Sequence, residues 1–163
     1  MSNQIIPDHK FPVDVCGIFK ITEILNDRWT ILLLREAFYG VTKFNDFLEN
    51  TGISKQILSN RLKHLIQLEI FELSIYKEVG ERERKEYLLT KKGKSLNIVL
   101  LAMLESGGNF IESGKDVVKV FNKSTDDELK LKLVDPSNQV IDFKNLELKL
   151  GRVKLEVRHK PPN

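Results

Sequence analysis

Cysteine is almost absent: Cys16 stands alone among 163 residues. One cysteine can neither close a disulfide within the chain nor assemble a cysteine-based zinc site in it. Histidine is scarce as well. His9, His64 and His159 lie on separate segments, with no Ser-His-Asp arrangement, phosphate-binding glycine loop or metal-ligand spacing around them. Nothing here is equipped for catalysis, and no metal or other cofactor is expected. Long apolar runs are missing too. The longest covers residues 98–104, far too short to cross a bilayer. The first fifteen residues lack the basic start and apolar stretch of a secretory signal, so a cytoplasmic protein is expected.

What is present is ordinary globular material. The chain is 41% hydrophobic and 30% charged, and nine Phe join many Leu and Ile to supply a core. Its length fits one domain, or a small domain with an appendage. The net charge of +3 says little, but its distribution says more. Residues 1–50 carry five basic and seven acidic side chains, whereas residues 51–92 carry nine basic and six acidic. Between positions 54 and 64 stand Lys55, Arg61 and Lys63 with no acid. A local basic segment in a nearly neutral chain suits a face that meets phosphate, although a solvated helix face has the same look.

The hydrophobic period divides the chain. Pro7 and Pro12 make residues 1–15 a loose arm. A helix is expected over 17–25, from Ile18, Ile21, Ile24 and Leu25. Asp27 can cap a second helix over 28–38, apolar nearly all round and so expected to run through the core. A short third helix over 43–50 turns Phe44, Phe47 and Leu48 inward. Gly52 suits its left-handed end, and Ser54 caps a fourth helix reaching about residue 68. Short helix, glycine turn and second helix form a helix-turn-helix.

The period then becomes two. Phe71, Leu73 and Ile75 share one face of a strand, and residues 85–89 form its partner across a charged loop. This hairpin is a wing. Thr90 caps a fifth helix expected over 91–104, and Ser106-Gly107-Gly108-Asn109 ends it. Beyond, residues 128–134 and 145–157 alternate Leu or Val with charge, so the tail from 107 to 163 is expected to be β-rich, with a turn at Asp135-Pro136-Ser137-Asn138. The fold class is mainly α, within α+β: a winged helix-turn-helix domain over 16–106 with a β-rich extension.

The fourth helix has two faces. Leu58, Leu62 and Leu65 point to the core, while Gln56, Ser59, Asn60 and Lys63 share a polar side and Lys55 sits in the first turn. Gln and Asn can pair with adenine through two hydrogen bonds, Lys can donate to guanine or phosphate, and the helix start favours an anion. Candidate DNA-binding residues are therefore Lys43, Ser54, Lys55, Gln56, Ser59, Asn60, Arg61, Lys63 and His64, with Arg82, Arg84 and Lys85 on the wing. Glu78, Glu81 and Glu83 interleave the wing bases and can pair with them instead. The rival to duplex DNA is a winged helix serving as a protein-interaction module, which would carry apolar residues on that outer face.

Several stretches together resemble the HxlR-type winged helix regulators, relatives of the MarR group. They are Asp27-Arg28-Trp29-Thr30 with the apolar helix after it, Phe44-Asn45-Asp46-Phe47, the run from Gly52 to Leu62, and Arg84, Tyr87, Leu89, Thr90 and Gly93. The resemblance covers about residues 16–104. It implies a transcription regulator acting as a homodimer through its first and fifth helices on a pseudo-palindromic operator. It also implies that Arg61 supports the helix and the DNA backbone rather than reading a base. Cys16 matches the position from which some members sense oxidants or electrophiles, so a redox or small-molecule effector is implied as well. The wing sequence EVGERER departs from the family's proline-containing turn.

Overall fold

The computed structural model describes residues 12–77, 83–146 and 148. They fall into two units: residues 17–131, and residues 1–16 with 132–163.

The first unit holds α1 (Gly17–Ile24), α2 (Arg28–Phe38), α3 (Phe44–Thr51), α4 (Lys55–Gln67), β1 (Phe71–Tyr76), β2 (Arg84–Leu89), α5 (Lys91–Lys94) and α6 (Asn97–Gly107). Local chemistry sets most boundaries. Asp27 caps α2, its carboxylate accepting from the amides of Trp29 and Thr30. Ser54 does the same for α4 through the amide of Ile57. Gly52 ends α3 at φ +67°, a conformation a side chain would resist. α4 ends without a glycine. Glu69 takes the left-handed position at φ +58°, and the amides of Glu69 and Ile70 donate to the carbonyls of Ile66 and Leu65. That is the Schellman pattern, and Leu65 and Ile70 are both buried in the core.

The core is built from Leu33 and Leu34 of α2, Phe47 of α3, Leu58, Leu62 and Leu65 of α4, Phe71 of β1, and Ile53, Ile70 and Leu96 between elements. Phe47 and Phe71 meet edge to face, with centroids 6.2 Å apart. One carboxylate is buried with them. Glu36 of α2 accepts from Arg35 at 2.5 Å and from the side-chain amide of Asn50 at 2.9 Å, tying α2 to the last turn of α3. β1 and β2 pair antiparallel, from Phe71 opposite Leu89 to Tyr76 opposite Arg84. β2 is also joined to the chain before α3: the Tyr87 amide donates to Thr42 O at 2.8 Å, and Lys43 bridges Glu86.

Two expectations for the helices change. The fifth helix is two helices. Leu96 turns inward to 3% exposure between them, so the chain bends at Ser95-Leu96 rather than running straight from 91 to 104. Gly107 does not break α6 but lies in its last turn, followed by a 3₁₀ turn over Gly108–Phe110. The face shared by Phe71, Leu73 and Ile75 is buried only at Phe71; Leu73 and Ile75 stand exposed toward the hairpin end.

The alternating tail also differs. Residues 128–134 form no strand. Phe121 pairs with Glu128 and Val134 with Val140 as isolated bridges. Within 128–131 the backbone is engaged elsewhere than in a sheet: the Leu129 amide donates to Val120 O, and the Leu131 amide to the Glu105 carboxylate on α6. The second alternating stretch, 145–157, lies almost wholly outside the described residues. In the second unit the Asp135 turn is present, its carboxylate accepting from the amides of Ser137 and Gln139. Among the described residues, no helix is long and apolar enough to cross a membrane.

Candidate nucleic-acid interface

α4 separates its faces sharply. Leu58, Leu62 and Leu65 are at most 1% exposed, while Ser54, Lys55, Gln56, Ser59, Asn60 and Lys63 are all exposed. The Gln56 amide donates to Asn60 Oδ1 at 3.3 Å, one turn on. This aligns two amide side chains along the helix and leaves further donors and acceptors on each. Ile57, in the first turn, is 38% exposed beside them. The sequence reading missed it, because an isoleucine next to Leu58 looks like core; its phase, one position ahead of the Leu58-Leu62-Leu65 series, is the signal. An apolar side chain there can meet a thymine methyl. His64 is half-buried on the edge of the same helix.

Arg61 behaves differently from its neighbours. It is half-buried, and its Nε lies 3.4 Å from Asp27 Oδ2 at the start of α2. Asp27 also accepts the Thr30 hydroxyl at 2.7 Å. Burial works against the charged carboxylate, but the Thr30 hydroxyl and amide, the Arg61 charge and the Trp29 amide outweigh it and hold Asp27 below its ordinary pKa.

Lys43 belongs with the wing. Its ammonium lies 5.0 Å from the centre of the Tyr76 ring, at the last strand pair before the hairpin loop. A concave surface of about 490 Å³ runs from the start of α3 to the two strands, with Lys43, Asn45, Tyr76, Arg84 and Lys85 around it. Arg84 and Lys85 are both exposed. Arg82, with Glu78 and Glu81, lies outside the described residues. Cys16 is half-buried and directly precedes α1, its amide donating to Val13 O.

The sequence pattern of the HxlR-like helix-turn-helix family matches residues 24–115, more than half of the chain. An uncharacterized HTH-type transcriptional regulator of Mycobacterium tuberculosis is 35% identical over 103 residues, and the match spans 63% of this chain and 63% of that protein. The HTH-type transcriptional regulator YodB of Bacillus subtilis is 33% identical over 95 residues, 58% of this chain and 83% of its own. The crystal structure of PA1607, assigned as a transcription factor, superposes with a TM-score of 0.74 at 23% identity, covering 83% of this chain and 94% of that one. That coverage exceeds what residues 1–115 alone could supply, so the shared fold continues past the helix-turn-helix. α3, the Gly52 turn, the Ser54-capped α4 and a two-stranded wing all fall inside the matched stretch, and the chain belongs to the HxlR-like helix-turn-helix family of transcriptional regulators.

Proposed function

We propose that the chain binds duplex DNA sequence-specifically as a homodimer, α4 in the major groove and the wing on the backbone or minor groove. The division of α4 carries the reading. An acid-free face of Lys55, Gln56, Ser59, Asn60 and Lys63 stands on a helix whose opposite face is fully buried. A protein-interaction module would present apolar side chains there, and Ile57 alone does not make such a surface. Gln56 and Asn60 are assigned to base edges, Ile57 to a thymine methyl, and Lys43, Arg84 and Lys85 to phosphate.

Two helices argue for the second copy. α6 is apolar nearly all round yet buries no residue; Ile98 is 59% and Met103 43% exposed. On α1, Ile18 is 78% and Phe19 42% exposed. A helix of that character belongs in an interface. Two-fold symmetry then sets half-sites about 10 base pairs apart. An effector has a candidate entry as well. Leu101, Leu104, Val120 and Leu131 line a cavity of about 430 Å³ beside α6, where Glu128 is paired with both Lys119 and Lys130. Paired charges over apolar walls fit an uncharged, mainly apolar small molecule.

DNA selected from fragments of the source genome, then titrated by gel shift at two salt concentrations, tests the reading. Tight, salt-dependent, sequence-preferring binding is expected, lost when Gln56, Asn60 and Lys63 are together changed to Ala. Operator affinity unchanged in that triple variant would refute the assignment of α4.

A further inference from the structure

We propose that Asp27, which lies away from the exposed face of α4, is a positioning residue for DNA readout: it anchors Arg61 and so fixes how the recognition helix presents its base-reading side chains. The inference rests on the DNA-binding reading above and goes beyond it.

The geometry is that of a pivot. Asp27 is clamped to the start of α2 by three hydrogen bonds, from the Trp29 amide at 2.9 Å, the Thr30 amide at 3.1 Å and the Thr30 hydroxyl at 2.7 Å. Thr30 is itself 1% exposed, and Leu33 and Leu34 on the same helix are in the centre of the core. The carboxylate therefore has little freedom. Arg61 reaches it from the middle of α4, one residue after Asn60 and two before Lys63. A cation held there limits rotation of α4 about its axis, the motion that would swing Gln56 and Asn60 off a base edge. The Leu58-Leu62-Leu65 ridge holds the inner side of α4, and the Arg61–Asp27 ion pair adds a second restraint on the partly exposed side, next to Asn60. The Arg61 side chain keeps 34% of its surface exposed, enough for the guanidinium to meet a phosphate while its Nε faces Asp27. A carboxylate behind an arginine orients the planar fork before DNA arrives, so less ordering is left to the binding step.

Asp27→Asn is the discriminating change. Asn caps a helix as well as Asp does, so α2 keeps its start while the charge facing Arg61 goes. Arg61→Lys is the second variant; it keeps the charge but loses the Nε geometry. The measurement is the ratio of affinities for the selected operator and for unrelated DNA, on the full chain, with the Arg61 Nε–H resonance recorded alongside. Each variant is expected to lower the ratio by roughly three- to tenfold, the range a partly buried ion pair supplies. Binding to unrelated DNA does not fall in Asp27→Asn, since an acid has been removed. The double variant is expected to lose no more than the worse single one. A purely structural role would lower affinity for both DNAs alike and leave the ratio in place. A ratio within about twofold of wild type in Asp27→Asn, or losses that add in the double variant, would overturn the proposal. Equal affinity of the wild-type chain for both DNAs would overturn the DNA reading itself, and is seen before any variant is made. The Nε–H resonance reports in either case whether the pair exists.

Discussion

Replacing Gly93 with Ala tests the packing beneath the wing. Gly93 sits in α5, and a Cβ built on it would lie 2.2 Å from the Ile70 carbonyl oxygen and 3.0 Å from Leu89 Cδ2. Carbon–oxygen contacts settle at about 3.3 Å, so α5 and the Ile70 peptide must separate by about 1 Å. That peptide cannot move freely. Ile70 O accepts the Thr90 amide at 3.0 Å, and the neighbouring Glu69 O accepts the Thr90 hydroxyl at 2.6 Å. Overpacking of this kind costs about 1–3 kcal/mol, and weakening one of these hydrogen bonds about 1 more. Alanine returns about 1 kcal/mol of helix propensity. The net loss is about 2 kcal/mol, or about 8 °C in Tm for a domain of this size. Thermal and urea unfolding followed by circular dichroism would measure it. Gly107→Ala is the internal comparison: Gly107 also lies in a helix, but its Cβ would meet nothing within 4 Å. That change is expected to raise stability by about 0.5–1 kcal/mol. Equal effects at the two positions, or an undiminished Tm in Gly93→Ala, would refute the close-approach argument.

Glu69→Gly should stabilise the chain by about 0.5–1 kcal/mol, because Glu69 holds φ +58° at the end of α4; a fall in the urea midpoint would count against this. Ser54→Ala removes the acceptor for the Ile57 amide and should cost about 1 kcal/mol, read from the same denaturation curves. Asp27 is held below its unfolded value of 3.8, so its contribution is complete above that value and is lost as pH falls through the folded one. Wild-type stability should therefore drop below about pH 4, and the acid limb should be shallower in Asp27→Asn; identical limbs would show that other carboxylates set it.

The features legible in the sequence are those whose causes lie within a few residues. Asp27, Ser54 and Thr90 each accept from an amide two or three positions on, and Gly52 takes a left-handed turn whatever surrounds it. The two faces of α4 follow from leucine spacing alone. What the sequence did not reveal depends on distant partners. Leu96 is buried in the core at the bend between α5 and α6, and the run 91–104 carries no local sign of that. Glu36 looks like any surface acid until Asn50, fourteen residues away, is seen to bond it. The pairing of Arg61 with Asp27 likewise joins two helices, and only the family resemblance pointed to a supporting role.

The bond from Tyr87 to Thr42 has a mechanical consequence. It ties the wing to the segment that leads directly into α3, so the hairpin is not a flap hung on its own loop. The base of the wing and the start of the helix-turn-helix move as one stiff piece, like the two jaws of a caliper set to a fixed gap. A surface gripped by both must match that gap, and a force applied to one jaw is felt at the other.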